Sequence, residues 1–334
     1  MADYVMEIDT LLYDVAGTRS SVCHVTGQIY AIACRGANED GYVHTVSIGT
    51  DGTTTLIASA EFADGVQIEA TQIVHLAGDN YAVLYSGAFP VNFRIATFSI
   101  DGAGAISANI DDQPVDGLEM GYWEGSPDFL KVAGTTYAMV YRGDDGDGFI
   151  TTLTIADDGT VGAVIQTWEF DETNCGIFPH MVHISGDIFA ISYSGVNNLV
   201  TVEINAAGVI TTALKGSLVI EGGGHFSIIH LAGTKYAITY KKTADTSCQL
   251  VTIDIQNDGT IAGAPTDTKE VTGYLRRPSL VRRSDGVVFI TGTYRTGPTS
   301  PLLCRFNFVL LWRNIFRWGS RHVLSISYNP SEWN

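Results

Sequence analysis

Three carboxylates, Asp128, Glu119 and Glu172, are the residues of this sequence that could perform catalysis together. Glycosidases use two carboxyl groups, one to protonate the leaving oxygen and one to act as nucleophile or base. Asp128 with Glu172, or Glu119 with Glu172, would supply such a pair if both faced one pocket. Acidic residues are common in the loops of this chain, so a chance pairing is the alternative interpretation.

A second group of residues could bind a ligand without catalysing a reaction. One position of the repeat, just before its first strand, changes its residue type from copy to copy although the neighbouring positions stay nearly constant. It holds Gln72, Asp128 and His180 in three consecutive repeats. Ser21, Ser227 and Ser279 hold the same position in other repeats. Aromatic and basic residues of the neighbouring links would join them, namely Tyr122, Trp123, His225, Arg276 and Arg277. Such a mixture suits a sugar or another small polar ligand, and a solvated rim without function is the alternative.

Acidic residues also cluster in one link. Asp144, Asp145 and Asp147 offer the hard oxygen ligands that calcium prefers, and the matching link of the first repeat carries Asn38–Asp40. The spacing does not fit an EF-hand loop. An exposed acidic turn without a metal is the alternative, and no other cofactor is expected.

A basic residue recurs at one position of the repeated strand: His24, His75, Lys131, His183, His230 and Arg282. A ring of imidazoles could bind a metal, but a position that accepts lysine and arginine suits a cation poorly. We therefore predict a structural role, a repeated hydrogen bond to the adjacent blade.

These residues lie on a unit that recurs about every fifty residues, the spacing of β-propeller blades. Ile228–Tyr240 is one copy, a strand, a glycine turn and a second strand. A third strand, an Asp-Gly or similar turn and a fourth strand follow. The sequence predicts one all-β domain, a six-bladed propeller of four-stranded antiparallel blades. The repeats lie near residues 19–70, 71–125, 126–177, 178–225, 226–277 and 278–311.

The elements predict how the ring is built. Alternation places Ala31, Ala82, Ala138, Ala190 and Ala237 on one face of the second strand and large residues on the other, so that adjacent blades can pack closely. Residues 4–14 resemble a fourth strand, and we expect them to complete the last blade and close the ring. The links after strands two and four are long and variable, and all lie at one end, which is the expected working surface. Residues 312–334 do not follow the repeat and form an atypical end or a segment read in an altered frame.

The best-kept copies of the unit, Pro179–Tyr193 and Leu250–Ile261, resemble uncharacterised β-propeller repeat proteins of environmental, phage and archaeal sequences. The resemblance covers roughly residues 4–311 and implies the propeller fold but no activity. The histidine/tryptophan–aspartate signature of other propeller repeats is missing. Ser99–Gly102 comes near an Asp box but is followed by alanine where the glycine of that motif belongs.

Composition narrows the possible partners. The 334 residues carry a formal net charge of −17, which disfavours nucleic acid as a partner. No apolar stretch is long enough for a transmembrane helix, and no signal peptide is apparent, so membrane insertion is not expected. Five cysteines without CxxC spacing are expected to be free thiols. The cytoplasm, or a phage or virus particle, is the expected location.

The sequence therefore favours a non-catalytic recognition module. It would bind a glycan, another polar small ligand or a protein surface at the long-link end of the propeller. A glycoside hydrolase with paired carboxylates in the central pocket is the alternative, and a purely structural scaffold is the third possibility.

Overall fold

The computed structural model describes residues 18–87, 93–115, 126–143, 145–176, 178–195, 197–220, 223–242, 247–271, 275–282, 288–294 and 309–311. The regular secondary structure of these residues consists of β-strands and one short 3₁₀ turn at Ala37–Glu39, joined by turns and links. Among them, no helix is long and apolar enough to cross a membrane. The predicted all-β class is confirmed.

Five antiparallel four-stranded sheets follow one another along the chain, and each is one propeller blade. Blade one contains β1 (Thr18–Thr26), β2 (Ile29–Arg35), β3 (Gly41–Ile48) and β4 (Thr54–Ala63). Blade two contains β5 (Ile68–His75), β6 (Asn80–Gly87), β7 (Phe93–Ser99) and β8 (Asp111–Pro114). Blade three contains β9 (Asp128–Ala133), β10 (Thr136–Arg142), β11 (Gly148–Ile155) and β12 (Val161–Asp171).

The next two blades repeat this order. Blade four contains β13 (His180–Ser185), β14 (Ile188–Ser192), β15 (Leu199–Ile204) and β16 (Ile210–Leu218). Blade five contains β17 (Gly223–Ala232), β18 (Lys235–Lys242), β19 (Cys248–Asp254) and β20 (Asp267–Val271). The first strand of each blade packs beside the first strand of the next one, so these strands surround a common axis.

The predicted count of six four-stranded blades is wrong for the described residues, because only five sheets have four strands. The sixth repeat forms a three-stranded sheet from β21 (Leu275–Arg282), β22 (Val288–Tyr294) and β23 (Val309–Leu311). In blades one to five, an alanine of the second strand lies opposite a threonine of the third strand. In the sixth sheet, Phe289 and Leu310 take these two places, so its sequence departs from the repeat there. Residues 4–14, the predicted closing strand, and residues 312–334 lie outside the described part of the chain.

The alanines of the second strands pack against the following blade, as predicted. Ala82 of blade two lies in one buried cluster with Tyr137, Met139 and Tyr141 of blade three. Ala190 of blade four is fully buried in a cluster with residues of blade five. A small side chain on one face and large side chains on the other let adjacent twisted sheets approach closely.

A threonine of the third strand links each of blades one to four to the next blade. The Thr201 hydroxyl donates a hydrogen bond of 2.6 Å to the carbonyl of Gly259, in the turn before the fourth strand of the following blade. Thr45, Thr97 and Thr152 make the equivalent bonds to Gly104, Gly159 and Gly208. We call these four residues the interblade threonines. Gly208 has a φ of +84°, and a Cβ there would lie 2.5 Å from Ile165, so glycine is required.

The histidines of the first strands have a structural role, as predicted, but with a different partner. His75 Nε2 lies 2.8 Å from the carbonyl oxygen of Gly78, in the turn of its own blade. His24, His183 and His230 bond Gly27, Gly186 and Gly233 in the same way. Of the side chains described at this position, Lys131 reaches the adjacent blade, where it donates to the carbonyl of Leu76. The predicted bond to the adjacent blade is therefore wrong for the histidines, because a turn three residues away is within easier reach.

Candidate functional site

A cavity of about 260 Å³ lies on the axis, at the end where the first strands begin. All six repeats contribute to its wall. Most lining residues are polar: Ser20, Glu69, Thr71, Gln72, Ser126, His180, His225, Ser227 and Ser279, with Phe178 and Phe226 as the apolar members. The cavity is therefore rich in hydroxyl, amide and imidazole groups.

The position just before the first strand, which varies from repeat to repeat, has different roles in alternate blades. In blades one, three and five, the residues Ser21, Asp128 and Ser227 accept a hydrogen bond from a main-chain N–H of the next blade. In the second, fourth and sixth repeats, Gln72, His180 and Ser279 line the cavity. The position thus serves mainly ring assembly in one set of repeats and mainly the cavity in the other, and Ser227 and Gln72 serve both.

Asp128 is buried and fixed by three donors. Its Oδ2 accepts a 2.7 Å bond from the N–H of Met181, in the next blade. Its Oδ1 accepts bonds from Gln72 Nε2, at 2.9 Å, and from the N–H of Phe129, at 3.0 Å. The side chain therefore joins three blades and does not itself line the cavity. A carboxylate held in this way is a structural acceptor rather than a free acid or base.

Two imidazoles face the cavity. Nδ1 of His180 is buried, 3.8 Å from Asp128 Oδ2, so the accessible part of the ring is the side away from that carboxylate. The ring of His225 lies 4.8 Å from that of Phe178 at 30°, which gives the cavity a paired aromatic wall. His225 adopts a left-handed backbone conformation with φ of +59°, which is uncommon for a residue with a side chain.

Glu69 is the carboxylate that lines the cavity. It is 4% exposed, lies 3.4 Å from Arg35 Nη1 and accepts a 3.1 Å bond from Gln67 Nε2. Arg35 also forms an ion pair with Glu39, so one guanidinium is shared by two carboxylates.

The structure brings together Gln72, His180 and His225 of the predicted ligand-binding residues, with Asp128 directly behind them. Glu172 is exposed and does not line the cavity. Four predicted residues lie outside the described part of the chain: Glu119, Tyr122, Trp123 and Asp144. The backbones of Arg276 and Arg277 belong to β21, and their side chains are not described.

Sequence reasoning missed Glu69, Phe178, Ser20 and Ser126. Phe178 precedes His180 by two residues, and Ser126 precedes Asp128 by two. Side chains two apart on an extended strand share a face, so this offset would have found both residues. Nothing in the repeat marks Glu69, because its role depends on the link that brings Arg35 beside it.

Two acidic clusters lie outside the cavity, at equivalent places in blades one and three. Asp40, Glu61 and Asp64 hold carboxylate oxygens within 4.8 Å of one another. In blade three, Asp147 is hydrogen-bonded to Glu169, near Asp145 and Glu172. Glu61 and Glu169 occupy the same register, opposite Tyr42 and Phe149. Asp145 and Asp147 were predicted from sequence, whereas Glu61 and Glu169 were not.

Mutual repulsion affects protonation in these clusters. Partial desolvation and the carboxylates of Asp64 and Asp40 raise the pKa of Glu61. Partial desolvation, the hydrogen bond with Asp147 and the nearby carboxylates raise the pKa of Glu169. Both clusters have the oxygen chemistry that suits calcium.

Comparison with known proteins supports the fold. No protein-family model matches the sequence, and no curated protein is significantly similar to it. A proposed 6-phosphogluconolactonase from Bacteroides fragilis is 13% identical, with a TM-score of 0.58 over 86% of this chain and 82% of that one. The periplasmic gluconolactonase of Pseudomonas aeruginosa is 13% identical, with a TM-score of 0.55 over 80% and 76%.

A third similar structure, AofleA from Arthrobotrys oligospora, is 11% identical, with a TM-score of 0.51 over 88% and 87%. At these identities, the likeness concerns the fold alone. The chain is therefore similar to known β-propeller proteins in the arrangement of its sheets, and its own residues must indicate its function.

Proposed function

We propose that this protein is a recognition module that binds a small polyhydroxylated ligand, such as one unit of a glycan, in the axial cavity. The observation that carries the proposal is the wall of the cavity. Six repeats, similar elsewhere, place serine, threonine, glutamine and histidine side chains around one space. Hydroxyl groups of a sugar both donate and accept hydrogen bonds, and these side chains offer both functions.

The size and the aromatic wall support the same ligand class. The cavity, at about 260 Å³, lies just below the range of about 300–1,000 Å³ typical of sites for drug-sized ligands. One sugar ring suits it better than a long chain enclosed on all sides. Phe178 and His225 supply adjacent ring faces against which the C–H side of a sugar can pack. The gluconolactonases of the same fold are named for polyhydroxylated ligands of comparable size.

The alternative is a glycoside hydrolase, and it needs a different pair of carboxylates from the one predicted. Asp128 is occupied by three hydrogen bonds, and Glu172 is exposed beside the acidic cluster of blade three, outside the cavity. Glu69 is the described carboxylate that a substrate in the cavity would meet. A hydrolase would therefore use Glu69. A purely structural scaffold, the third possibility, would not require the polar side chains that line the cavity.

A glycan array and a panel of chromogenic glycosides, applied to the same purified protein, test these alternatives. We expect binding without turnover, and Phe178→Ala should weaken binding about tenfold or more because it removes apolar contact. Val219→Ala, on an exposed residue away from the cavity, is the control and should bind like the parent. Turnover by the parent that Glu69→Gln abolishes would favour the hydrolase. Binding that is unaffected by Phe178→Ala would contradict the axial site.

We also propose that the ring closes between the sixth sheet and blade one, with residues 4–14 as the outer strand of that sheet. The support is an apolar face of blade one that lacks its neighbour. Val22 is 65% exposed, whereas its equivalents in the next four blades are at most 4% exposed. Ile48 is 40% exposed, and its equivalents Ile100, Ile155, Ile204 and Ile255 are at most 1% exposed.

A further inference from the structure

One ring nitrogen of His180 is buried and makes no hydrogen bond. Its Nδ1 is enclosed by the protein, and within the described part of the chain no donor or acceptor lies at hydrogen-bond distance from it. A carboxylate oxygen, Oδ2 of Asp128, lies 3.8 Å away. A carboxylate on that side of the ring favours the tautomer with the proton on Nδ1, which leaves the lone pair on Nε2.

The side of the imidazole that carries Nε2 is the side open to the cavity. The His180 side chain is 37% exposed although its Nδ1 is buried, and the residue belongs to the cavity wall. The carboxylate behind the ring is held in place, because Met181 and Gln72 donate to its two oxygens. An imidazole placed between a fixed carboxylate and a polar cavity can take a proton from water, because the carboxylate stabilises the imidazolium that forms. The 3.8 Å separation exceeds a hydrogen bond, and such contacts often shorten when the substrate binds.

From this geometry we propose that the protein hydrolyses a carboxylic ester of a sugar in the axial cavity, with His180 as general base and Asp128 as its positioning residue. The inference goes beyond the binding proposed above and rests on it, because the sugar must enter the same cavity. An ester suits a single imidazole better than a glycosidic bond does, because glycoside hydrolysis needs a pair of carboxyl groups. The acyl group of a sugar ester and the ring ester of a sugar lactone both present the required carbonyl.

Water is the second reactant. Its oxygen attacks the ester carbonyl carbon while one of its protons passes to Nε2 of His180, and the carbonyl electron pair moves onto the carbonyl oxygen. When the tetrahedral intermediate collapses, the bond between that carbon and the sugar oxygen breaks, and the proton on Nε2 passes to the leaving oxygen. The products are a carboxylic acid and a free hydroxyl group.

Two lining side chains can stabilise the oxyanion of this intermediate. Gln72 uses one amide N–H for Asp128 and keeps a second one. The Ser227 hydroxyl accepts a hydrogen bond from the main chain of Leu280, so its own proton is available to a ligand. Donors that point to a developing negative charge lower the barrier of acyl transfer.

Esters of common sugars test the activity. The purified protein would be incubated with mono-O-acetylated glucose, galactose and mannose, and the released acetate would be measured. In a second arm, the 1,5-lactones of the corresponding aldonic acids would be followed by proton release at constant pH. The two arms separate an acyl ester from a ring ester. We expect hydrolysis above the rate in buffer in at least one arm.

His180→Gln removes the base and keeps a polar side chain. It should lower kcat about a hundredfold or more and change KM little. His183→Gln is the matched control, because His183 lies on the same strand but is exposed and bonds to the carbonyl of Gly186. That variant should keep the kcat of the parent, and melting curves would verify that both variants fold.

Asp128→Asn tests the positioning role. Assayed below its melting temperature, the variant should have a lower kcat with little change in KM, because the imidazolium loses its carboxylate. A side chain that only holds the strands would change the fraction of folded protein and leave the kcat of that fraction as it is in the parent, which would overturn the positioning role.

The outcomes distinguish the two proposals. If sugars bind in the cavity but no ester or lactone is hydrolysed faster than in buffer, only this inference is overturned. If no sugar or ester binds, the proposed function fails as well. Hydrolysis that continues at the parent rate in His180→Gln would overturn the role of that residue.

Discussion

Asp128 is a candidate catalytic carboxylate whose oxygens are instead used in hydrogen bonds that hold the blades together. The sequence analysis assigned Asp128 to ligand binding or to catalysis. The carboxylate in fact accepts bonds from Met181 of the next blade and from Gln72 of the preceding one. Its first effect on function is therefore indirect, because it holds the strands that present Gln72 and His180 to the cavity.

Asp128→Asn should destabilise the protein by about 1–3 kcal/mol, because the new amide nitrogen cannot accept the bond that one carboxylate oxygen accepts now. Chemical denaturation would measure the loss. Asp187→Asn, the same change at an exposed position, should leave the free energy of unfolding nearly unchanged. An Asp128→Asn variant as stable as the parent would show that the interblade bonds contribute little.

The acidic clusters give a prediction about pH. The pKa values of Glu61 and Glu169 are raised in the folded state, so the folded protein binds their protons more tightly than the unfolded chain does. Stability should therefore fall as pH rises from the ordinary glutamate pKa through the raised values. Glu61→Gln and Glu169→Gln should raise the melting temperature at neutral pH, and the gain should shrink in acid.

Glu203→Gln provides the control with the opposite sign, because Lys215 and Thr211 lower the pKa of Glu203. That variant should melt at a lower temperature at neutral pH.

Added calcium tests whether the two acidic clusters bind a metal ion. It should stabilise the parent and a chelator should reverse the effect, whereas the double variant should respond to neither. Identical melting curves for the parent under both conditions would dismiss the metal.

At the scale of the strands, the interblade threonines make a bond that hydrophobic packing alone does not supply. Thr201→Val keeps the volume but leaves the carbonyl of Gly259 without its buried donor. We expect a loss of about 1–3 kcal/mol in the free energy of unfolding. Thr212→Val, on an exposed position of β16, should cost much less. Equal stability of the two variants would mean that the Gly259 carbonyl finds another donor.

Strand-level features were the ones that the sequence could predict. The alanine positions reveal their face because a period of two residues fixes which side chains point to the neighbouring blade. The partner of the repeated histidine was predicted incorrectly, because a one-dimensional pattern does not separate a bond to a nearby turn from one to the next blade. The cavity residues Gln72 and His180 could be predicted because their position varies between repeats whereas the strand that follows it hardly changes. Glu69 did not, because its place depends on a link specific to one blade.

At the scale of the whole molecule, closure of the ring should depend on the N-terminal segment. Deleting residues 1–14 should lower the melting temperature and promote aggregation, because it would leave a strand edge and the apolar residues Val22 and Ile48 uncovered. Thermal melting and size-exclusion chromatography would measure both effects. Deletion of residues 1–3 is the control and should change neither. A monomeric protein of unchanged stability after the longer deletion would contradict closure by this segment.

The alternation at the axis has a consequence for how such a protein can change over time. Ser21, Asp128 and Ser227 join neighbouring blades, whereas Gln72, His180 and Ser279 lie between them along the ring. Among the described repeats, the repeating unit near the axis is therefore a pair of neighbouring sheets. Mutations at His180 and Ser279 can explore new ligands while Ser21, Asp128 and Ser227 preserve assembly, whereas Gln72 also donates a hydrogen bond to Asp128. Duplication or exchange of blades in pairs would keep this division of labour, and exchange of single blades would disrupt it.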